Sequence, residues 1–165
     1  MKMAHLVAQE TRTMQAQFDS MPPTSKPIDI GFDSLPHLTD LMCETHWKNQ
    51  HSADFLVTSN DVIEIRFVYP FSKPIYTEFR NKKKGRGFTR DRIIKLIVLS
   101  YLRFYKQEKN TSTLLIIPRA KRSQSLNRAE TDGTYGIFGH DMEDLVLEAL
   151  YFDETSHVVS MFIGS

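Results

Sequence analysis

TRDRIIKLIVLSYLRFYKQEKN, residues Thr89 to Asn110, is the stretch around which the rest of the chain arranges itself. Ten of the thirteen positions from Ile93 to Tyr105 are apolar, and neither glycine nor proline interrupts them. Thr89 offers a side-chain oxygen as N-cap and Asp91 an acid matched to the positive end of the helix dipole, so the stretch is predicted to be an α-helix. Its apolar side chains cover most of the circumference, as in a helix packed on more than one side. Arg92, Lys95, Arg103 and Lys106, spaced three, eight and three residues apart, fall on one stripe and mark the route to solvent. Ile93, Ile94, Ile97, Val98, Tyr101, Leu102 and Tyr105 are then the expected core.

The bulk numbers suit one ordinary domain: 165 residues, 41% hydrophobic and 11% aromatic. No apolar run approaches the roughly 20 residues of a membrane-spanning helix, and residues 1–14 lack the ~7–15-residue apolar region of a signal peptide. One cysteine, Cys43, forms no internal disulfide and suits a reducing compartment. An intracellular protein, cytoplasmic or nuclear, with no membrane partner is expected.

The net charge of +1 conceals a segregation. Up to Phe79 there are 6 Lys and Arg against 10 Asp and Glu; from Arg80 to Arg128 there are 15 against 2; from Ala129 onward there are none against 8. The nets of −4, +13 and −8 reproduce the total. A middle third this basic either faces an anionic partner or is neutralised by the acidic ends folding against it.

Working outward toward the N-terminus, Arg80 to Arg90 (RNKKKGRGFTR) is the most charged stretch, and it leads directly into the helix. Gly85 and Gly87 let backbone approach a ligand closely, and a helix N-terminus favours anions. Lys84, Arg86 and Arg90 would surround such an anion, although no phosphate-loop pattern is present. A solvated loop that blunts a strand edge, or a localisation signal, is the plainer reading. Before it, Ala53 to Thr58 and Asp61 to Tyr69 read as two strands of a hairpin turning at Ser59-Asn60. Ile63, Ile65, Phe67 and Tyr69 form the core face, and Ile75 to Phe79 adds an edge strand after Pro70 and Pro74. Asp33 or Ser34 caps a second helix running to about Lys48. His37, Cys43, His46 and His51 lie in or near it without the ligand-pair spacing of a zinc site. Residues 1–30 are expected to form a leader, helical at its start, and a proline-containing linker; residues 31–165 form the domain.

Past the helix, Thr113 to Ile117 (TLLII) reads as a strand buried on both faces. Arg119, Lys121, Arg122 and Arg128 make a second basic loop, which beside the first would give a continuous phosphate-neutralising surface. Thr131 to Asp144 concentrates three of the seven glycines, threaded with Tyr135, Ile137 and Phe138, and so is a tight, packed-down loop. Asp132, His140 and Asp141 are its candidate catalytic residues, by cation ligation or proton transfer. Asp141 with Asp144 three positions later also has the form of a helix start. A helical turn from Asp141 to Leu145 and a hairpin, Val146 to Phe152 with His157 to Ile163, close the chain.

The sum is an α+β fold: a mostly antiparallel sheet of five or six strands with two main helices packed on it. The expected function is a non-enzymatic nucleic-acid-binding module without cofactor or metal. Lys82, Lys83, Lys84, Arg86, Arg90, Arg92, Arg119, Lys121 and Arg122 would contact phosphates, and nearby Tyr or Phe rings would stack on bases. A subunit of a larger assembly with charge-complementary contacts is the alternative. A metal-assisted phosphate-handling enzyme, with Asp132, His140 and Asp141 served by Arg86 or Arg90 as clamp, is the third.

Overall fold

The computed structural model describes residues 15, 17, 19, 21–32, 34–43, 54–116, 119–121, 130–138 and 140–165. The elements in order are β1 (Lys26–Ile28), β2 (Leu56–Thr58), β3 (Val62–Phe67), β4 (Ile75–Arg80), β5 (Phe88–Thr89), the helix α1 (Arg90–Thr111), β6 (Val146–Asp153) and β7 (Val158–Gly164). Five strands form one sheet in the order β1-β6-β7-β3-β4, and β2 with β5 forms a small second one. The main sheet is mixed, because β3 runs parallel to β7 while the other three pairings are antiparallel. The α+β class stands.

The helix forms where its periodicity places it. Thr89 is the N-cap, its hydroxyl accepting from the Arg92 amide at 3.4 Å. Ile93, Ile94, Ile97, Val98, Tyr101 and Phe104 are buried, while Leu102 and Tyr105 are half-buried at the margin. This face lies against the alternate residues Ile63, Ile65 and Phe67 of β3, all fully buried. Phe67 meets Tyr101 and Phe104 edge-on, with ring centroids 5.5 and 5.1 Å away. The Tyr101 hydroxyl donates to the Tyr69 carbonyl at 2.6 Å, and desolvation pushes its ionisation far above the ordinary tyrosine value, so it remains a donor. Ile97→Ala, emptying a site with no exposed surface, is expected to cost about 2–5 kcal/mol in urea unfolding; a loss near zero would place Ile97 outside the core.

Four expectations are corrected. The second long helix is not formed over residues 34–43, which carry only a 3-10 turn at Asp40–Met42; residues 44–48 lie outside the described residues. Its backbone is committed elsewhere: Leu38 N donates to Leu145 O, Leu147 N donates to Pro36 O, and His37 bridges Val146. Leu38 and Leu41 are nevertheless buried in the core. The hairpin through Ser59-Asn60 does not form either. Asn60 N turns back to the Thr58 hydroxyl at 3.2 Å, and β2 pairs with β5 across the foot of α1 while β3 takes β4 and β7. The true hairpin is β3–β4, joining Val62 to Arg80 through Phe67 to Ile75.

The predicted strand at Thr113–Ile117 is the third correction. Residues 112–116 are irregular, Leu115 is 95% exposed, and Ile117 lies outside the described residues. Asp132 explains this, since its carboxylate accepts from Thr113 N, Leu114 N, Ser112 Oγ and Thr113 Oγ1. Amides held by a side chain are unavailable to a ladder. The fifth strand comes instead from the proline-containing stretch, where Lys26–Ile28 pairs with β6 as an edge, the position at which proline is tolerated. The fourth correction is the parallel β3–β7 contact, which breaks the antiparallel expectation.

The closing hairpin expected over Val146 to Phe152 and His157 to Ile163 forms as β6 and β7, over Val146–Asp153 and Val158–Gly164. Asp153 organises its turn, accepting from the Ser156 amide at 2.8 Å, from the Ser156 hydroxyl and, across the chain, from Thr24 Oγ1. The Ser156 hydroxyl is the main cause that lowers the Asp153 carboxyl from 3.8 to about 2, with the Thr24 hydroxyl next. A depressed folded-state value stabilises the fold above the unfolded value and stops doing so as pH falls through the folded one. Stability is therefore expected to decline between pH 3.8 and about 2, and Asp153→Asn to flatten that decline in denaturant midpoints; equal slopes for parent and variant would remove Asp153 from the account. Gln17, buried, fixes the other end of β7, exchanging its side-chain amide with Ile163 N at 3.0 Å and Ile163 O at 3.4 Å. Of the N-terminal helix expected over residues 1–18, residues 15 and 17 are helical, as is 19, and the others lie outside the described residues. None of the described helices is long and apolar enough to cross a membrane.

Candidate functional site

Lys82, Lys83, Lys84 and Arg86 are all exposed on the loop between β4 and β5. The loop is held from below: Asp61 accepts from Gly85 N at 3.0 and 2.8 Å through its two oxygens, and Asn81 Nδ2 donates to Gly87 O. Gly87 has φ +60° and lies so close to Thr58 that an added Cβ would stand 1.9 Å from its carbonyl oxygen, so only glycine fits. Backbone is thereby turned inward and the cationic side chains outward.

The helix N-terminus is occupied by the protein itself. Asp54 Oδ1 accepts from the Asp91 amide at 3.1 Å, Phe55 O from the Arg90 amide at 3.0 Å and Thr89 from Arg92, which satisfies the amides an anion would have used. Arg90 is buried, 2.8 Å from Asp91 Oδ1 through both Nε and a terminal nitrogen, with its guanidinium 5.5 Å from the Phe55 ring centre. It braces the helix start.

The exposed face of α1 carries the positive stripe. Arg92, Lys95, Leu99, Arg103 and Lys106 are all exposed, and 3.6 residues per turn sets them within about 80° of one another. The Arg92 guanidinium sits 5.1 Å from the Phe88 ring centre and that of Arg103 5.3 Å from Phe104, so buried rings pin two of the cations.

Among the described residues, the acidic segments make no salt bridge to this surface. Among the described residues, the basic third enters salt bridges only at Arg80, with Glu78, and at Arg90, with Asp91. Described acids of the last segment are engaged elsewhere: Asp132 on residues 112–114, Asp144 on the Asp141 amide, Asp153 on its turn and Thr24, Glu154 on Lys26. Lys82, Lys83, Lys84, Arg86, Arg92, Lys95, Arg103 and Lys106 are left without a described carboxylate in range. In the second loop, Arg119–Lys121 is a 3-10 turn with Lys121 exposed, and Arg122 lies outside the described residues. The chain enters the first loop's neighbourhood at the start of α1 and departs for the second from its end, roughly 33 Å away at 1.5 Å per residue.

That length also separates the candidate catalytic residues from their clamp. Asp132 sits at Ser112–Leu114, beyond the helix C-terminus, whereas Arg86 and Arg90 stand at its N-terminus. Hydrogen bonds from the Thr113 and Ser112 hydroxyls hold the Asp132 carboxyl well below the usual range, so it is poorly suited as a base. His140 is buried, its Nε2 3.1 Å from Ser165 Oγ and its carbonyl accepting from the Tyr105 hydroxyl at 3.0 Å. Asp141 and Asp144 form the capping box of a 3-10 turn at Met142–Asp144. Each of the three fastens its own stretch of a packed loop.

An open groove of about 380 Å³ lies on the other side of the sheet, lined by Val62, Glu64, Arg66, Glu78 and His157. Its carboxylates already face arginines, Glu64 with Arg66 at 3.4 Å and Glu78 with Arg80 at 2.7 Å. Sequence reading missed the organising acids Asp54, Asp61 and Glu108 and the exposure of Leu99; the i−4 ring at Phe88 and the adjacent ring at Phe104 were the available signals for pinned arginines. No family model, curated protein or solved structure matches the chain.

Proposed function

We propose that this protein is a non-enzymatic nucleic-acid-binding module that holds the phosphate backbone on the 82–86 loop and the exposed face of α1. The supporting observation is that the four cations of the 82–86 loop and the four of the α1 stripe are exposed, with no described carboxylate within salt-bridge distance. Neutralising phosphates releases condensed counterions, so binding is governed by salt. Arg90 is excluded from the contact set by its burial, and Lys121 is an outlying member. Fluorescence anisotropy with a labelled oligonucleotide across a salt series is the test. A steep linear fall of log affinity with log salt is expected, and salt-independent binding, or none at low salt, would overturn the reading.

Leu114 and Leu115, exposed beside the helix end, favour a second reading as a subunit of a larger assembly. That reading expects a defined, salt-tolerant protein complex in light scattering instead.

A further inference from the structure

We infer that the nucleic acid held by this surface is B-form duplex DNA, bound without regard to sequence, with α1 lying across the major groove. The inference rests on the nucleic-acid reading and narrows it to one partner. The stripe is a repeated unit: Arg92 with Lys95, then Arg103 with Lys106, each arginine laid over a ring and each lysine three residues on. At 1.5 Å per residue the midpoints of the two pairs are about 16 Å apart. That exceeds the roughly 12 Å free width of the B-form major groove by enough to set each pair over a bounding row of phosphates, and it is far too wide for the ~6 Å minor groove.

The rings beside the stripe point the same way. Single-strand binders stack bases on exposed aromatics. Phe88 and Phe104 are buried beneath their arginines, so no base can reach them. Between the pairs stands Leu99, 52% exposed and uncharged. Over a groove about 8.5 Å deep its side chain has room, whereas the shallow minor groove of an RNA duplex would press it onto 2′-hydroxyls. Arginine and lysine at phosphate distance carry no base readout, hence the indifference to sequence.

The test compares a 20-base-pair DNA duplex, a scrambled duplex, the corresponding single strand and an RNA duplex of the same length, all against the full chain. The two DNA duplexes are expected to bind equally, and at least about tenfold more tightly than the single strand or the RNA. Arg92→Gln with Lys95→Gln, and separately Arg103→Gln with Lys106→Gln, are each expected to reduce the salt slope by about 2, because the pairs sit on different phosphate rows. Circular dichroism of these surface variants should match the parent. Equal or tighter binding of the single strand or RNA, or a loss confined to one pair, would overturn the inference while leaving the broader nucleic-acid reading intact. Absence of binding to every oligonucleotide would remove both.

Discussion

Glu108→Ala is expected to destabilise the fold by about 3 kcal/mol or more, since two backbone amides and a hydroxyl lose a buried charged acceptor. Glu108 lies in the last turn of α1, fully buried, where the negative end of the helix dipole alone would disfavour a carboxylate. Its place is explained by the donors that converge on it: Gly133 N at 2.9 Å, Tyr135 N at 2.7 Å and the Thr131 hydroxyl. Thr131 in turn exchanges hydrogen bonds with Ile137 at 3.0 and 3.1 Å, and Phe71 bridges Ile137, so one carboxylate fastens the glycine-rich loop to the helix and to the connection between β3 and β4. Gly133 leaves room for the same contact, because an added Cβ would stand 2.7 Å from the Glu108 carboxyl carbon and displace that side chain. In a chain of this size the loss corresponds to a melting temperature roughly 6–12 °C lower. Glu108→Gln keeps the volume but turns an amide toward another N–H, so it should lie between parent and Glu108→Ala. Calorimetry showing less than about 1 kcal/mol for Glu108→Ala would mean that water or a rearranged loop replaces the carboxylate.

Substituting Lys82, Lys83 and Lys84 together by glutamine should produce the largest change in binding. Eight phosphate contacts imply that affinity falls on the order of 10³–10⁵ between about 50 and 200 mM salt. Removing three contacts lowers the slope by about 2.7, equivalent to roughly 500-fold weaker binding at ~0.1 M salt. The fold should be untouched, since the loop is tethered through the Asp61 carboxylate, Asn81 and Gly87, and the three lysines are exposed. An unchanged salt slope in the triple variant would show that the loop does not meet the ligand, and would confine any contact to the helix face.

Much of this arrangement was readable from residue order. The stripe Arg92, Lys95, Arg103 and Lys106 emerges on the solvent side of α1 because an apolar surround leaves no other exit. The alternation of Ile63, Ile65 and Phe67 set the buried side of β3, and the β-branched, aromatic ending of the chain set the β6–β7 hairpin. The charge blocks were countable, but their survival after folding was not. Among the described residues it depends on Asp132, Asp141, Asp144 and Asp153 being used on backbone and hydroxyl donors and not on lysines or arginines.

Sequence alone determined α1, its cap, its cationic stripe and the strands flanking tight turns, because each is encoded by periodicity over a few neighbouring residues. Tertiary structure decided the partners. TLLII has the composition of a buried strand, yet the Asp132 carboxylate, some twenty residues away along the chain, takes its amides first. Leu56–Thr58 has the composition of a hairpin arm but pairs with Phe88–Thr89, and Lys26–Ile28, rich in turn formers, supplies a sheet edge. Hydrogen-bond donors accept whichever acceptor the packed chain presents, and the winner among distant competitors is fixed only when the core closes.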